Sequence, residues 1–337
     1  MKRISTIILA VLLAVSCSSV CFAAGSGDSF GGYAHVFIIG VDGAGAAFSQ
    51  CYTPNFDRIF ADNAFRHDAH TEVVTVSAQN WGSILTGVDY RTHGFTNDSA
   101  SKTQRGSDSP NHSIFYYARE AFPDARLASY CNWSAINHGI IENDLHVQKV
   151  NRKSDALVTE AILHDLRTGR VPKLMFVQFD EVDHAAHSHG GFSYEYYDAV
   201  VRADKLIGEI YDTAAALGLM EDSLFLVVAD HGETVYGHGG STPEESSAVL
   251  AAAGHSVNRT VLASSVHNRD AAAIALYALG IKQPKHFVSK VPSGLFGKSR
   301  EKTVAQGPMS ETERHLRDSA YFFLRFPNLI ASPFDQR

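Results

Sequence analysis

Carboxylate and imidazole side chains stand at comparable places along this chain, each just beyond a short apolar run. Asp42 precedes Gly43, Asp183 and His187 lie four residues apart, Asp230-His231-Gly232 closes a third run, and His238 sits in Gly237-His238-Gly239-Gly240. Mixed carboxylate and imidazole donors suit divalent cations, Zn²⁺ first, with Mn²⁺ or Fe as alternatives. Two such ions about 3.5–4 Å apart can clamp the attacking and leaving oxygens of an in-line displacement. Ser77, at the end of Thr75-Val76-Ser77 and ahead of a helix-like segment, offers a hydroxyl that cations would hold as an alkoxide. Taken singly, Asp-Gly is a common turn, and Asp183 with His187 could be an ion pair on a helix face. The ordered combination points to chemistry. Asp180 and Glu181 are rivals to Asp183, and the offset of four residues to His187 favours Asp183.

Such side chains need a scaffold that brings distant residues together. Strands are expected at 34–41, 69–75, 126–131, 173–179, 223–229 and 247–252, and helices at 54–63, 155–167, 194–217 and 268–279. The strand candidates are rich in Val, Ile, Leu and Phe with little alternation, as in strands covered on both faces. Alternation of the two element types implies a three-layer α/β/α sandwich with a mostly parallel central sheet. Ligands of such sheets gather at the carboxyl ends of the strands, which is where the candidate donors fall.

The remaining features bound the setting. Lys2 and Arg3, the apolar stretch from Ile7 to Val15 and the small-residue site Cys21-Phe22-Ala23 predict a signal peptide over residues 1–23 and an exported protein. A lipid-carrying Cys17 in Leu13-Ala14-Val15-Ser16-Cys17 is the alternative. Residues 24–337 then form one catalytic domain, with a possible small insertion at about 99–151; the tail after Val291 shows no period. The formal net charge of −7, with no basic run, argues against duplex nucleic acid as a partner. No later segment is apolar enough to span a bilayer. Export would permit Cys51 and Cys131 to pair, with two buried thiols as the alternative.

The ordered set resembles the alkaline-phosphatase superfamily, and most closely its type I phosphodiesterase/nucleotide pyrophosphatase branch. The likeness rests on Asp42-Gly43, on the stretch from Ser77 through Asn80 to Leu85-Thr86-Gly87, on Arg91-Thr92-His93-Gly94-Phe95-Thr96-Asn97, on Asp183-His184-Ala185-Ala186-His187-Ser188-His189-Gly190 and on Asp230-His231 with His238. It runs from residue 34 to 254, with a continuation to 280. The resemblance implies that Asp183, His187 and His238 hold one metal, and that Asp42, Asp230, His231 and the Ser77 oxygen hold the other. It also implies that Asn80 donates its amide to a phosphoryl oxygen and that turnover passes through a phosphoseryl enzyme, with a small phosphate ester or nucleotide-like molecule as substrate. Diesterases of this branch usually carry Thr where Ser77 stands, and Ser is usual in alkaline phosphatases and cofactor-independent phosphoglycerate mutases. Phosphodiester or pyrophosphate bonds are the favoured substrates, with monoester hydrolysis, phospho-group transfer and a sulfatase-like reaction as alternatives. Sulfatase relatives have Pro and Arg beside the nucleophile, and Ser77-Ala78-Gln79-Asn80-Trp81 has neither.

Overall fold

A computed structural model of the chain describes residues 32–297; the leader expected at residues 1–23 and most of the tail after Val291 lie outside them. The strands are β1 (His35–Val41), β2 (Ala64–His70), β3 (Leu127–Cys131), β4 (Gln148–Asn151), β5 (Leu174–Phe179), β6 (Ser223–Val228), β7 (Ser247–Ala253) and β8 (Thr260–Val261). The helices are α1 (Pro54–Phe60), α2 (Ser77–Thr86), α3 (Tyr90–His93), α4 (Asn97–Lys102), α5 (Ile114–Ala121), α6 (Asp155–Arg167), α7 (Glu181–His189), α8 (Tyr194–Ala216) and α9 (Asp270–Ala278).

All eight strands join one sheet in the order β4-β3-β5-β1-β6-β7-β2-β8. Its pairings are parallel except those of β7 with β6 and with β2. Val36 and Ile38 of β1 face a core shared with α2, α5 and α9, while Phe37, Ile39 and Val41 face a second core shared with α1, α6, α7 and α8. Both faces are thus covered, which gives the expected three-layer α/β/α sandwich and explains why the central strands read as unbroken apolar runs. Residues 99–151 contribute β3 and β4 to this same sheet.

Differences from the sequence-based expectation cluster away from the middle of the sheet. The strand expected at 69–75 instead spans Ala64–His70, because its outward positions hold Arg66, His67 and Asp68 and a bulge falls between Arg66 and Ala69. Residues 71–76 are the loop that leads to Ser77. The edge strands β4 and β8 are short and have only one paired neighbour each, so neither carries the apolar signature. Cys51 and Cys131 are buried in the cores on opposite faces of the sheet and form no disulfide. Among the described residues no helix is long and apolar enough to cross a membrane.

The topology focuses one edge. β5, β1 and β6 are adjacent and parallel, with Val41 level with Phe179 and Gly40 level with Val228, so Asp42, Asp180 and Asp230 leave the sheet side by side. β2 runs in the same direction and delivers residues 71–76 to that edge, whereas antiparallel β7 begins there. The segment holding His231 and His238 is therefore confined between the end of β6 and the start of β7. Gly40, next to the last residue of β1, leaves room for the buried Trp81 of α2: a Cβ there would lie 2.4 Å from Trp81 Cη2. Gly40→Ala should accordingly cost about 1–3 kcal/mol of stability through overpacking. Urea unfolding checks this, and an unchanged midpoint at constant slope would show that Trp81 shifts freely.

Candidate metal centre

Asp42 is buried and asymmetrically used. Its Oδ2 accepts from Trp81 Nε1 at 2.8 Å and from Gln178 Nε2 at 3.0 Å, while Oδ1 has no hydrogen-bond partner. That free oxygen lies 3.5 Å from His231 Nε2, which is also 3.2 Å from Asp230 Oδ2, another buried oxygen without a partner. The other oxygen of Asp230 accepts from the Gly43 backbone N–H at 3.1 Å. Gly43 has φ +67°, a conformation that favours glycine, and the Tyr196 hydroxyl lies 3.0 Å from its carbonyl. His231 Nδ1 faces Gly232 O at 3.1 Å, which places the ring proton there and leaves Nε2 as a lone-pair donor. Donor atoms of Asp42, Asp230 and His231 all lie within 4.8 Å of one another.

The second group is built on α7 and the loop after β6. Asp183 Oδ1 lies 3.3 Å from His238 Nε2, and Asp183 Oδ2 lies 3.4 Å from His187 Nε2, one helical turn along. The His187 and His238 Nε2 atoms are 3.1 Å apart. His238 donates from Nδ1 to Thr75 O at 2.6 Å, so its Nε2 lone pair points inward. The rings of His238 and His231 stack at 3.9 Å, which joins the two groups into one centre. Of the rival carboxylates, Asp180 Oδ1 accepts from Gln178 Nε2 and Glu181 Oε1 accepts from Asp155 N, so it is Asp183 that meets both imidazoles.

Ser77 opens α2, only 8 % exposed, with Oγ 3.4 Å from His231 Nε2. It thus stands at a helix N-terminus, where backbone N–H groups and the dipole favour an anion. The Asn80 side chain, implied by the resemblance to reach a phosphoryl oxygen, is bonded elsewhere in this structure. Its Oδ1 accepts from Glu72 N at 2.9 Å and its Nδ2 donates to Val74 O at 3.1 Å and Val76 O at 3.2 Å, so the amide is spent on the loop before Ser77. The reason is geometric: three residues on from Ser77, a side chain turns back under the loop. The amide beside the nucleophile is Asn97, whose Oδ1 accepts from Ala78 N at 2.9 Å. Its Nδ2 makes no hydrogen bond among the described residues. The cue was present in Gly94-Phe95-Thr96-Asn97, but nothing in the spacing says that α3 folds back along α2. His93 holds it there: its Nε2 lies 3.0 Å from Gln79 O and 3.1 Å from Ser83 Oγ.

These residues fit a pair of cations. Asp42, Asp183 and Asp230 each bury an oxygen without a donor, and no Lys or Arg among the described residues pairs with any of them. Burial, reinforced by neighbouring carboxylates, holds Asp42 and Asp230 well above the usual carboxylate range, while burial drives His231 well below its usual value. A ligand imidazole must be neutral, and burial favours that form of His231. Glu233, to which no sequence pattern points, lies in the same space, and burial followed by the charge of Asp183 pushes it up to about 10.

The two amides should separate cleanly on mutation. Asn97→Ala should cost about 1 kcal/mol of stability through the lost acceptor of Ala78 N, and lower kcat for a phosphate ester by about 100-fold, as for a lost oxyanion donor. Asn80→Ala should instead lower stability by about 1–3 kcal/mol through the stranded loop amide of Glu72. Thermal unfolding together with initial rates decides between them; the reverse pattern would restore Asn80 to the reaction.

Comparison with known proteins places this geometry. The family model for type I phosphodiesterase / nucleotide pyrophosphatase matches residues 36–295. Murine ectonucleotide pyrophosphatase / phosphodiesterase 5, solved as an inactive form in complex with AMP, superposes with a TM-score of 0.62 at 12% identity, over 75% of this chain and 96% of that one. A protein in the alkaline phosphatase superfamily from Vibrio parahaemolyticus gives 0.58 at 17% identity, over 77% and 69% of the two chains. At such identities the likeness is one of fold. GPI ethanolamine phosphate transferase 1 of Saccharomyces cerevisiae is 26% identical over 153 residues, 39% of this chain and 17% of that protein. Its Candida glabrata counterpart is 28% identical over 130 residues, 33% of this chain and 14% of that protein, so the match spans less than a fifth of either relative. With the family model matching residues 36–295, most of its length, and the fold shared with solved relatives, the chain belongs to the type I phosphodiesterase / nucleotide pyrophosphatase family.

Proposed function

We propose that the chain is a two-cation phosphodiesterase or pyrophosphatase with Ser77 as its nucleophile. One observation carries this reading: Ser77 Oγ stands 3.4 Å from His231 Nε2, at the meeting of the two donor groups. Asp42, Asp230 and His231, with the Ser77 oxygen, would hold one cation, and Asp183, His187 and His238 the other. Zn²⁺ suits these mixed donors best and Mn²⁺ next. When bound, the cations neutralise charge on the attacking and leaving oxygens.

The chain's own groups account for the rest. Ser77 Oγ bonds to phosphorus as the bond from phosphorus to the leaving alcohol oxygen breaks, and the alcohol departs with a proton. Asn97 Nδ2 and the first turn of α2 donate to the phosphoryl oxygens. Water then cleaves the seryl ester and returns the hydroxyl. Diester preference follows from charge. Arg91 is exposed and stacks over the Tyr90 ring at 5.0 Å, and no Arg or Lys among the described residues is bonded to Ser77, so nothing pairs the extra charge of a monoester dianion. The substrate class this favours is a small ester or nucleotide-like molecule outside the cytoplasm, where residues 1–23 would direct the chain. The similarity to ethanolamine phosphate transferases favours a second reading, in which an alcohol replaces water in the second step.

Ser77→Ala should keep the fold and its bound cations and lose nearly all turnover, whereas Ser77→Thr should retain measurable activity. An aryl phosphodiester should show a higher kcat/KM than the matching monoester, and adding glycerol should divert product to glycerol phosphate only if transfer operates. Full activity in Ser77→Ala would end the nucleophile assignment. A monoester preference would end the diester assignment alone.

A further inference from the structure

Glu233 lies two residues beyond His231, is 1% exposed, and has no hydrogen-bond partner at either carboxylate oxygen. Burying a carboxylate without donors is costly, and either a proton or a positive partner relieves it. No Lys or Arg among the described residues supplies one. A Glu233 oxygen lies within 4.8 Å of the donor atoms of Asp183, His231 and His238. Glu233 does not orient the His231 ring, because Oε1 is 3.8 Å from His231 Nδ1, beyond hydrogen-bond reach, and that nitrogen faces Gly232 O at 3.1 Å. Its near neighbour is Asp183, whose Oδ1 is equally without a donor. Gly43 keeps the two carboxylates close, since a Cβ there would come within 2.9 Å of both Asp183 Cα and Glu233 Oε1.

Resting on the two-cation reading, we propose that Glu233 is a fourth protein ligand of the cation held by Asp183, His187 and His238. A second carboxylate there balances the two carboxylates Asp42 and Asp230 at the other site. It also makes a set of two oxygen and two nitrogen donors that accepts Mn²⁺ as readily as Zn²⁺.

The test loads wild-type protein and Glu233→Gln with Co²⁺, and reads stoichiometry by chelator competition and coordination by visible absorption. Wild type should bind two ions. The variant should lose affinity at one site by about 10-fold or more, with a changed absorption band, and keep the other site unchanged. Stripped of metal, the variant should unfold at a higher temperature than wild type, because a carboxylate facing Asp183 is gone; a merely structural Glu233 would shift it the other way. Should Glu233→Gln not fold, Glu233→Asp, one methylene shorter, must change the absorption band. Two sites with wild-type affinities and spectrum in the variant overturn the Glu233 assignment alone. A wild-type protein that binds no Co²⁺ overturns the two-cation reading with it.

Discussion

Carboxyl groups crowded where water cannot reach them are the constraint on which the rest of this molecule depends. Asp42, Asp183, Asp230 and Glu233 each bury at least one oxygen without a donor, all at the carboxyl edge of the sheet. Two like charges 4 Å apart repel by about 4 kcal/mol at an effective dielectric of 20, and the described residues offer no Lys or Arg to offset it. A domain of ordinary stability cannot carry several such pairs unrelieved. Protons relieve that repulsion, as the raised Asp42, Asp230 and Glu233 carboxyls show, and divalent cations would relieve it under the proposed two-cation reading.

The surroundings make sense as devices that keep those oxygens from relaxing. Trp81 and Gln178 both donate to one oxygen of Asp42, which fixes the direction of the other. Asn268 donates to the Asp230 carbonyl at 2.7 Å, and the Asp155 carboxylate accepts from Asp180 N at 2.9 Å and Glu181 N at 3.1 Å at the start of α7, the helix that bears Asp183 and His187. Thr75 binds the loop of His238 three times, through its carbonyl to the ring, through Oγ1 accepting from Gly239 N and through Oγ1 donating to Gly240 O. Asn80, fully spent on residues 72–76, sets the approach to Ser77. Rigid support of this kind holds the donor atoms of the candidate centre in one arrangement.

Much of this is legible in the sequence because it is local. Central strands buried on both faces announce themselves as apolar runs, and the residues just after each run are placed by the sheet alone; hence Asp42 and Asp230 stand out, while Asp183, on α7, stands out by its offset of four residues from His187. The antiparallel insertion of β7 and the edge strands β4 and β8 are not legible, since pairing partners at an edge leave little mark on a short polar segment. Asn97 and Glu233 are hidden for a different reason. Asn97 reaches Ala78 because α3 and the residues after it fold back along α2, and Glu233 faces inward because the loop after β6 curls under Gly43. Both depend on tertiary contacts between segments whose spacing carries no period.

The central claim, that two cations flank Ser77, is tested most directly by anomalous diffraction at the zinc edge from crystals of protein grown with Zn²⁺. Two peaks are predicted about 3.5–4 Å apart, one among Asp42, Asp230, His231 and Ser77 Oγ and the other among Asp183, His187 and His238. A single peak, or peaks remote from Ser77, would contradict the account.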